Sequence, residues 1–410
     1  MYNKYLPIDQ LIILGNGFDL SCGLKSSYNE FFEYIYSDSI KTQKNYWYYI
    51  FKKLSKESQN LSTWTDIEKQ ILTELKNVEW IYREEIKSFH SLRMETAGRD
   101  IDEIKSIEIT YLGFEDLIER RYSGFPRPRK EEIQEVLREE LRVLENDFSD
   151  YLENQIKEQV EKINQILSTG SGSIKELYLI KTLIITCYIV FSQRRNSEEY
   201  YIEWLMKVIT QFTSISSYDD LLSKCSSEII KMKYEASIQE NHILSFNYTS
   251  PNSIFNLTNI HGALDTDDTI FGIDYDKLNV NFENPPIEFS KSYRILENGN
   301  TKSLNVSSKI DVLKFYGHGL GEADYSYFQS IFDSVDLYHS NTIVIFYWSP
   351  YEGCEKHIIH RNQVKCITKL IEDYGTTFNN KDHGRNLLTK LQLENRLHIQ
   401  EIPIEKIFSM

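Results

Sequence analysis

Four clusters of polar residues in this chain each follow directly on a short apolar run. Asn16 and Asp19 follow Leu11–Leu14, Asn247 follows Ile243–Phe246, His261 follows Leu257–Ile260, and Gly317–Asp324 follows Val312–Tyr316. Among them are glycine turns (Gly15, Gly17, Gly317, Gly319) whose backbone N–H groups suit a phosphate. There are also two histidines (His261, His318) that carry a proton near neutral pH, two amides (Asn16, Asn247), and the carboxylates Asp19, Glu322 and Asp324. That set suits glycosidic-bond or phosphodiester chemistry. Each member has a plainer alternative: Asn247 as a turn residue, His261 as a hydrogen-bonded core histidine, His318 as a prop for its own loop. Shared position favours a site, because residues just past the strand ends of a parallel sheet gather along one edge, where such folds bind ligands.

The elements that must position these groups begin with a strand, a glycine turn and a helix. Leu11–Leu14 leads into Gly15-Asn16-Gly17-Phe18-Asp19, followed by Gly23-Leu24 and an amphipathic, aromatic-rich segment from Tyr28 to Tyr36. The third glycine, Gly23, comes too late for the usual dinucleotide fingerprint, and no acidic strand end follows about 20 residues on, which disfavours a hydride-transferring dehydrogenase. The chain then reads as helical and polar to about residue 240. Its clearest helix carries Ile133, Leu137, Leu141, Leu144, Phe148, Leu152, Ile156, Val160, Ile163 and Leu167 at steps of four and three, a stripe suited to packing in a bundle.

Tyr178–Phe191 is the most apolar run, but Lys181 interrupts it and its length falls short of the roughly 18 residues a membrane span needs, so a buried helix is expected. No membrane association is expected. His90–Glu108 lacks clear periodicity and Gly124–Arg129 carries two prolines, which suggests a loop or domain edge there. From His242 the period changes to short apolar strands: Ile243–Phe246, Leu257–Ile260, Ile270-Phe271, Val312–Tyr316, Ile343–Tyr347 and Leu397–Ile402. Helices are expected at Tyr325–Asp333 and Cys354–Tyr374, and Asp276–Ser308 reads as a polar loop. This alternation predicts a mostly parallel sheet that completes the one opened at Leu11.

Composition narrows the classes further. The 410 residues carry 46 Lys plus Arg against 61 Asp plus Glu, a formal net charge of −15, so the surface is no general binder of polyanions. The most basic stretch, Arg120-Arg121 through Arg127, Arg129 and Lys130, is followed at once by acidic residues; nucleic acid is not an expected partner. The five cysteines form no C-x-x-C pair, and Met1–Gln10 has neither a basic nor an apolar leader region, which together suit reduced thiols in a cytoplasmic protein.

The motifs as a set resemble the bacteriophage abortive-infection AbiH family. They are Ile13-Leu14-Gly15-Asn16-Gly17-Phe18-Asp19-Leu20, Gly23-Leu24 with Ser27-Tyr28, and Trp64-x-Asp66-x-Glu68, then Ser245-Phe246-Asn247-Tyr248-Thr249, Ile260-His261-Gly262 and Gly317–Tyr325. In order and type they are similar, more distantly, to the motifs of the sirtuin-like NAD-binding fold. Those resemblances imply an α/β protein with a Rossmann-like (sirtuin-like), mostly parallel sheet and a large all-helical insertion. Residues 1–37 and 241–410 would form the nucleotide-binding domain and 38–240 the insertion, available to a protein partner or a second copy of the chain.

The same resemblances imply an anti-phage effector that hydrolyses the nicotinamide glycosidic bond of NAD without a metal. His261 would be the general base and Asn247 would position the ribose or a water. Gly15, Asn16, Gly17, Phe18, Asp19, Gly317, His318, Gly319, Glu322 and Asp324 would line the nucleotide. Asp19 stands where that fold has a small hydroxyl residue, and is expected to bond ribose hydroxyls or the helix N-terminus. Two alternatives stay open: a metal-dependent phosphodiester hydrolase using His261, His318, Glu322 and Asp324 as ligands, and a noncatalytic nucleotide sensor.

Overall fold

The computed structural model describes residues 8–37, 45–57, 64–123, 125–192, 198–210, 215, 217–251, 254–266, 268–299, 309–321, 324–351 and 353–409. The strands are β1 (Ile8–Leu14), β2 (Ile238–Ser245), β3 (Asn256–Asn259), β4 (Val312–Tyr316), β5 (Ile343–Trp348) and β6 (Leu397–Glu401). The helices up to the second strand are α1 (Asn16–Cys22), α2 (Tyr28–Ser37), α3 (Tyr46–Glu57), α4 (Trp64–Arg83), α5 (Phe89–Glu95), α6 (Ile101–Tyr122), α7 (Lys130–Thr169), α8 (Tyr178–Phe191), α9 (Glu198–Thr210) and α10 (Tyr218–Glu235). Those after it are α11 (Tyr275–Asn281), α12 (Lys291–Glu297), α13 (Tyr325–Ser334), α14 (Lys356–Thr376), α15 (Lys381–Leu393) and α16 (Ile404–Ser409).

The six strands form one sheet in the order β3-β2-β1-β4-β5-β6, and every pairing is parallel. β1 is central: Leu14 pairs with Ser245 on one side and with Tyr316 on the other. Strands covered on both faces need apolar residues at nearly every position, which is why β1, β4 and β5 read as continuous apolar runs. One face buries Leu11, Ile13, Leu244, Leu313, Phe315, Val344 and Phe346 against Phe328 and Phe332 of α13, Ile367 and Ile371 of α14, and Leu387 of α15.

The opposite face is more polar and lies under α8. There the Gln10 amide donates to the carbonyl of Val190, and Lys314, buried in the middle of β4, donates to the carbonyls of Ile189 at 2.6 Å and Val190 at 3.3 Å. The C-terminal carbonyls of a helix lack partners within it, so a buried ammonium satisfies them and complements the helix dipole. Every residue of α8 except Lys181 is buried, as the apolar run required. Among the described residues no helix is long and apolar enough to cross a membrane. The five cysteines are unpaired.

Two compact units divide the chain: Met1–Ser26 with Leu152–Thr266 and Lys302–Met410, and Ser27–Tyr151 with Asp267–Thr301. The first holds the sheet together with α8, α9 and α10. The second is helical. Its centre is an aromatic cluster of Tyr28, Phe31, Phe148 and Phe271, with ring centroids 5.0 to 5.5 Å apart.

Three expectations are corrected here. Ile270-Phe271 is not a strand: both residues are buried in the helical unit, where the Phe271 N–H donates to Glu145. A short apolar run cannot by itself separate a strand from a loop packed on helices. Asp276–Ser308 is not simply a loop, because α12 lies within it and α11 overlaps its start; α12 buries Lys291 against Glu68 at 2.7 Å and Arg294 against Glu145. His90–Glu108 is mostly helical, carried by α5 and α6 with a short turn at Thr96–Asp100 between them.

The basic residues from Arg120 to Lys130 face carboxylates of the same unit. Arg120 and Arg121 pair with Glu140, Arg127 with Glu115, Arg129 with Glu132, and Lys130 with Glu79.

Candidate functional site

The turn after β1 is built on backbone contact with the turn after β4. Gly15 N–H donates to the Tyr316 carbonyl at 3.0 Å and Gly17 N–H to the Gly317 carbonyl at 2.7 Å. A β-carbon on Gly317 would lie 2.2 Å from Phe18 N, and one on Gly15 would lie 2.6 Å from the His318 Cα. Gly317 also has φ +71°, in the left-handed region that favours glycine. These glycines therefore let two strand-end turns touch. The Gly17 and Phe18 N–H groups, which a bound phosphate would use, are donated to Gly317 and Gly15. Gly319 differs, with open space where its β-carbon would point.

The side chains of that turn are also engaged. Asn16 Nδ2 donates to the Ser26 carbonyl at 3.1 Å while Ser26 Oγ donates to Asn16 Oδ1 at 2.6 Å, which pins the end of the following turn. Phe18 is buried edge-on against Tyr316. Asp19 is fully buried, with Tyr178 OH donating to Oδ1 at 2.9 Å and Thr249 Oγ1 to Oδ2 at 2.7 Å. Burial pushes the Asp19 carboxyl up from 3.8 to about 6, against the opposing pull of the Thr249, Tyr178 and Asn247 hydrogen bonds.

Asn247 lies one strand over, beyond β2. Its Nδ2 donates to the Gly15 carbonyl at 3.2 Å, which fixes the orientation of the amide, since a flip would set oxygen against oxygen. Its Oδ1 is buried and has no hydrogen-bond partner among the described residues. The Asn247 carbonyl accepts from Asn259 of β3, tying the two strand ends together.

A second cluster forms where the loop after β4 reaches across to β2 and β3. Asp324 Oδ2 lies 3.3 Å from His318 Nε2, and Oδ1 lies 3.7 Å from His261 Nε2, a charge-pair distance too long for a hydrogen bond. His318 Nδ1 accepts the Leu320 N–H at 2.9 Å. Phe246 lies edge-to-face with both imidazoles, at 4.5 Å from His318 and 5.5 Å from His261, and Tyr327 lies 5.5 Å from His261.

Of the residues singled out in the sequence, His261, His318 and Asp324 thus meet around one carboxylate. Asn247 and Asp19 belong to a neighbouring group with Gly15, and Gly17 and Phe18 lie in the packed turn. Glu322 falls outside the described residues. Among the described residues no group of three or more His, Cys, Asp or Glu is placed to hold a metal ion. Two partners of Asp19 escaped the sequence reading. Thr249 sits inside a motif but reads as a mere substitution there, and Tyr178 opens an apolar helix with nothing to mark it as polar machinery.

A family model described as bacteriophage abortive infection AbiH matches residues 11–187. The matched stretch runs from β1 into α8 and so includes Asp19 and Tyr178, while Asn247, His261 and Gly317–Asp324 lie beyond it. Searches of curated proteins and of solved structures gave no match.

Proposed function

We propose that this protein acts in phage abortive infection by hydrolysing the nicotinamide glycosidic bond of NAD at the C-terminal edge of its sheet. The match to AbiH over residues 11–187 supports the defence role. The strand order 3-2-1-4-5-6 is that of doubly wound dinucleotide-binding sheets, whose ligands sit beyond the strand ends where the order reverses, here between β1 and β4. It supports a Rossmann-like reading of the sheet.

The observation that carries the proposal is Asn247 Oδ1, a buried acceptor beside the turn of the central strand with no donor among the described residues. Leaving such a group unpaired costs about 1 to 3 kcal/mol, which a ligand bearing hydroxyl or amide donors recovers on binding. The ribose hydroxyls and carboxamide of NAD are such donors. In the reaction the bond between ribose C1′ and the pyridinium nitrogen breaks, and its electron pair leaves with neutral nicotinamide. Water adds to the oxocarbenium-like carbon and its proton passes to His261, giving ADP-ribose. Incubation of the purified protein with NAD, with nicotinamide release followed by chromatography, tests this. Turnover that falls at least about 100-fold in His261→Ala is expected; no turnover, or turnover unchanged in that variant, overturns it.

A further inference from the structure

We propose that Asp19 is a positioning residue for Asn247: its carboxylate touches no substrate and, through Thr249, holds the turn after β2 so that Asn247 offers Oδ1 to the ligand. This rests on the reading above that Asn247 Oδ1 meets the nucleotide. Both carboxylate oxygens of Asp19 are taken by hydroxyl donors, Oδ1 by Tyr178 at 2.9 Å and Oδ2 by Thr249 at 2.7 Å. Asp19 is 1% exposed, so the ribose contact expected of it would require one of these bonds to break. Burial raises the carboxyl to about 6 against the pull of Thr249, Tyr178 and Asn247, so it is ionised at neutral pH and accepts from both hydroxyls.

The turn Asn247-Tyr248-Thr249 is gripped from two sides. On the β3 side, Asn259 Nδ2 donates to the carbonyls of Asn247 at 2.6 Å and of Thr249 at 3.0 Å. On the β1 side, α1 and its N-cap supply two acceptors one helical turn apart. The Gly15 carbonyl takes Asn247 Nδ2 at 3.2 Å, and the Asp19 carboxylate takes the Thr249 hydroxyl. Either bond alone leaves the turn free to pivot about it, whereas two bonds from one short helix do not. The Asn247 N–H donates to Ser245 Oγ at 3.1 Å, which fixes where its side chain leaves the backbone. With Nδ2 committed to Gly15, the amide presents Oδ1 as an acceptor and cannot turn to offer a donor instead. Tyr178, by occupying the other carboxylate oxygen, keeps Oδ2 turned to Thr249. All of these residues belong to the unit that carries the sheet.

A double-variant cycle separates positioning from mere support of the fold. Thr249→Val removes the hydroxyl at nearly constant shape and is expected to lower kcat/KM for NAD by about 10-fold, with Thr249→Ser recovering most of it. In an Asn247→Ala background the same Thr249→Val change is expected to matter by less than about twofold, because the group it positions is gone. Asp19→Ala, made in the Thr249→Val background, is likewise expected to add less than about twofold. Equal losses in both backgrounds, or no recovery in Thr249→Ser, overturn the proposal, and neither reading depends on Asp19→Ala folding. A second arm needs no NAD. In the full chain labelled with 15N-asparagine, the side-chain amide protons of Asn247 are expected to exchange with solvent at least about 10-fold faster in Thr249→Val and to be protected again in Thr249→Ser. Exchange indifferent to Thr249→Val overturns the positioning whether or not NAD is cleaved. Should the unaltered protein fail to cleave NAD while exchange responds as expected, the reading of the reaction falls and the hold of Asp19 on Asn247 stands.

Discussion

Tyr178 donates its hydroxyl to Asp19 at 2.9 Å, so the first residue of the most apolar helix holds the carboxyl that follows the central strand. Because Asp19 titrates at about 6 in the folded chain against 3.8 when exposed, the folded state binds its proton more tightly than the unfolded state does. The associated stability is fully present below 3.8 and is lost as pH rises through about 6, amounting to about 3 kcal/mol at neutral pH. Asp19→Asn removes that loss. Its thermal midpoint, relative to the unaltered protein, is expected to climb between pH 4 and pH 7; a constant difference across that interval contradicts the assignment.

Lys314 caps the end of α8 from within the sheet, with three carbonyls, of Ile189, Val190 and Ser192, in reach of one ammonium. Lys314→Met keeps the length of the side chain and removes the donors. A loss of about 2 to 3 kcal/mol is expected, read as a lower unfolding midpoint in urea. A variant as stable as the original shows that the cap has no net effect.

The contact between the turns after β1 and β4 leaves no room at Gly317. Gly317→Ala sets a β-carbon 2.2 Å from Phe18 N at a left-handed φ, and should cost more than about 3 kcal/mol. Gly319→Ala, two residues on and facing open space, should cost less than about 1 kcal/mol. Soluble yield and thermal midpoint of the two variants separate a packing role for Gly317 from a general need for glycine in the loop.

In the helical unit, Arg294 Nη2 lies 2.7 Å from Glu145 Oε2, and both residues are buried. Arg294→Met strands a buried carboxylate and should cost about 3 to 5 kcal/mol, while adding Glu145→Met should restore most of it. Midpoints that simply add in the double variant rule out this coupling.

Strands were the most legible part of the fold, because burial on both faces leaves a continuous apolar run that needs no knowledge of partners. What each polar residue does inside that frame was much less so. Lys314 carried no mark in the sequence, since the Ile189 carbonyl it serves lies 125 residues away. The polar, proline-interrupted stretch that holds α12 read as a loop, although its Lys291 and Arg294 are buried against Glu68 and Glu145 of other helices. The glycines of the first turn carried a sequence signal that a phosphate cradle and a backbone-to-backbone contact share, and only Gly317 on the facing turn distinguishes the two. His261, His318 and Asp324 were marked by position past strand ends, but the division of one carboxylate between two rings depends on how the loop after β4 folds back.

The central place of β1 also fixes an order of events during synthesis. It is the first strand to be made, yet Gly15 meets Asn247 across 232 residues and Asp9 meets Asp311 across 302. At ribosomal speeds of about 5 to 20 residues per second, roughly 15 to 60 s separate the making of the first strand from that of its last neighbour. During that interval one edge of the sheet is unpaired. A chain cut short before Asp324 therefore has an open strand edge, suited to removal by proteases. The groups past the strand ends of β3 and β4 are brought together only once Asp324 has been made.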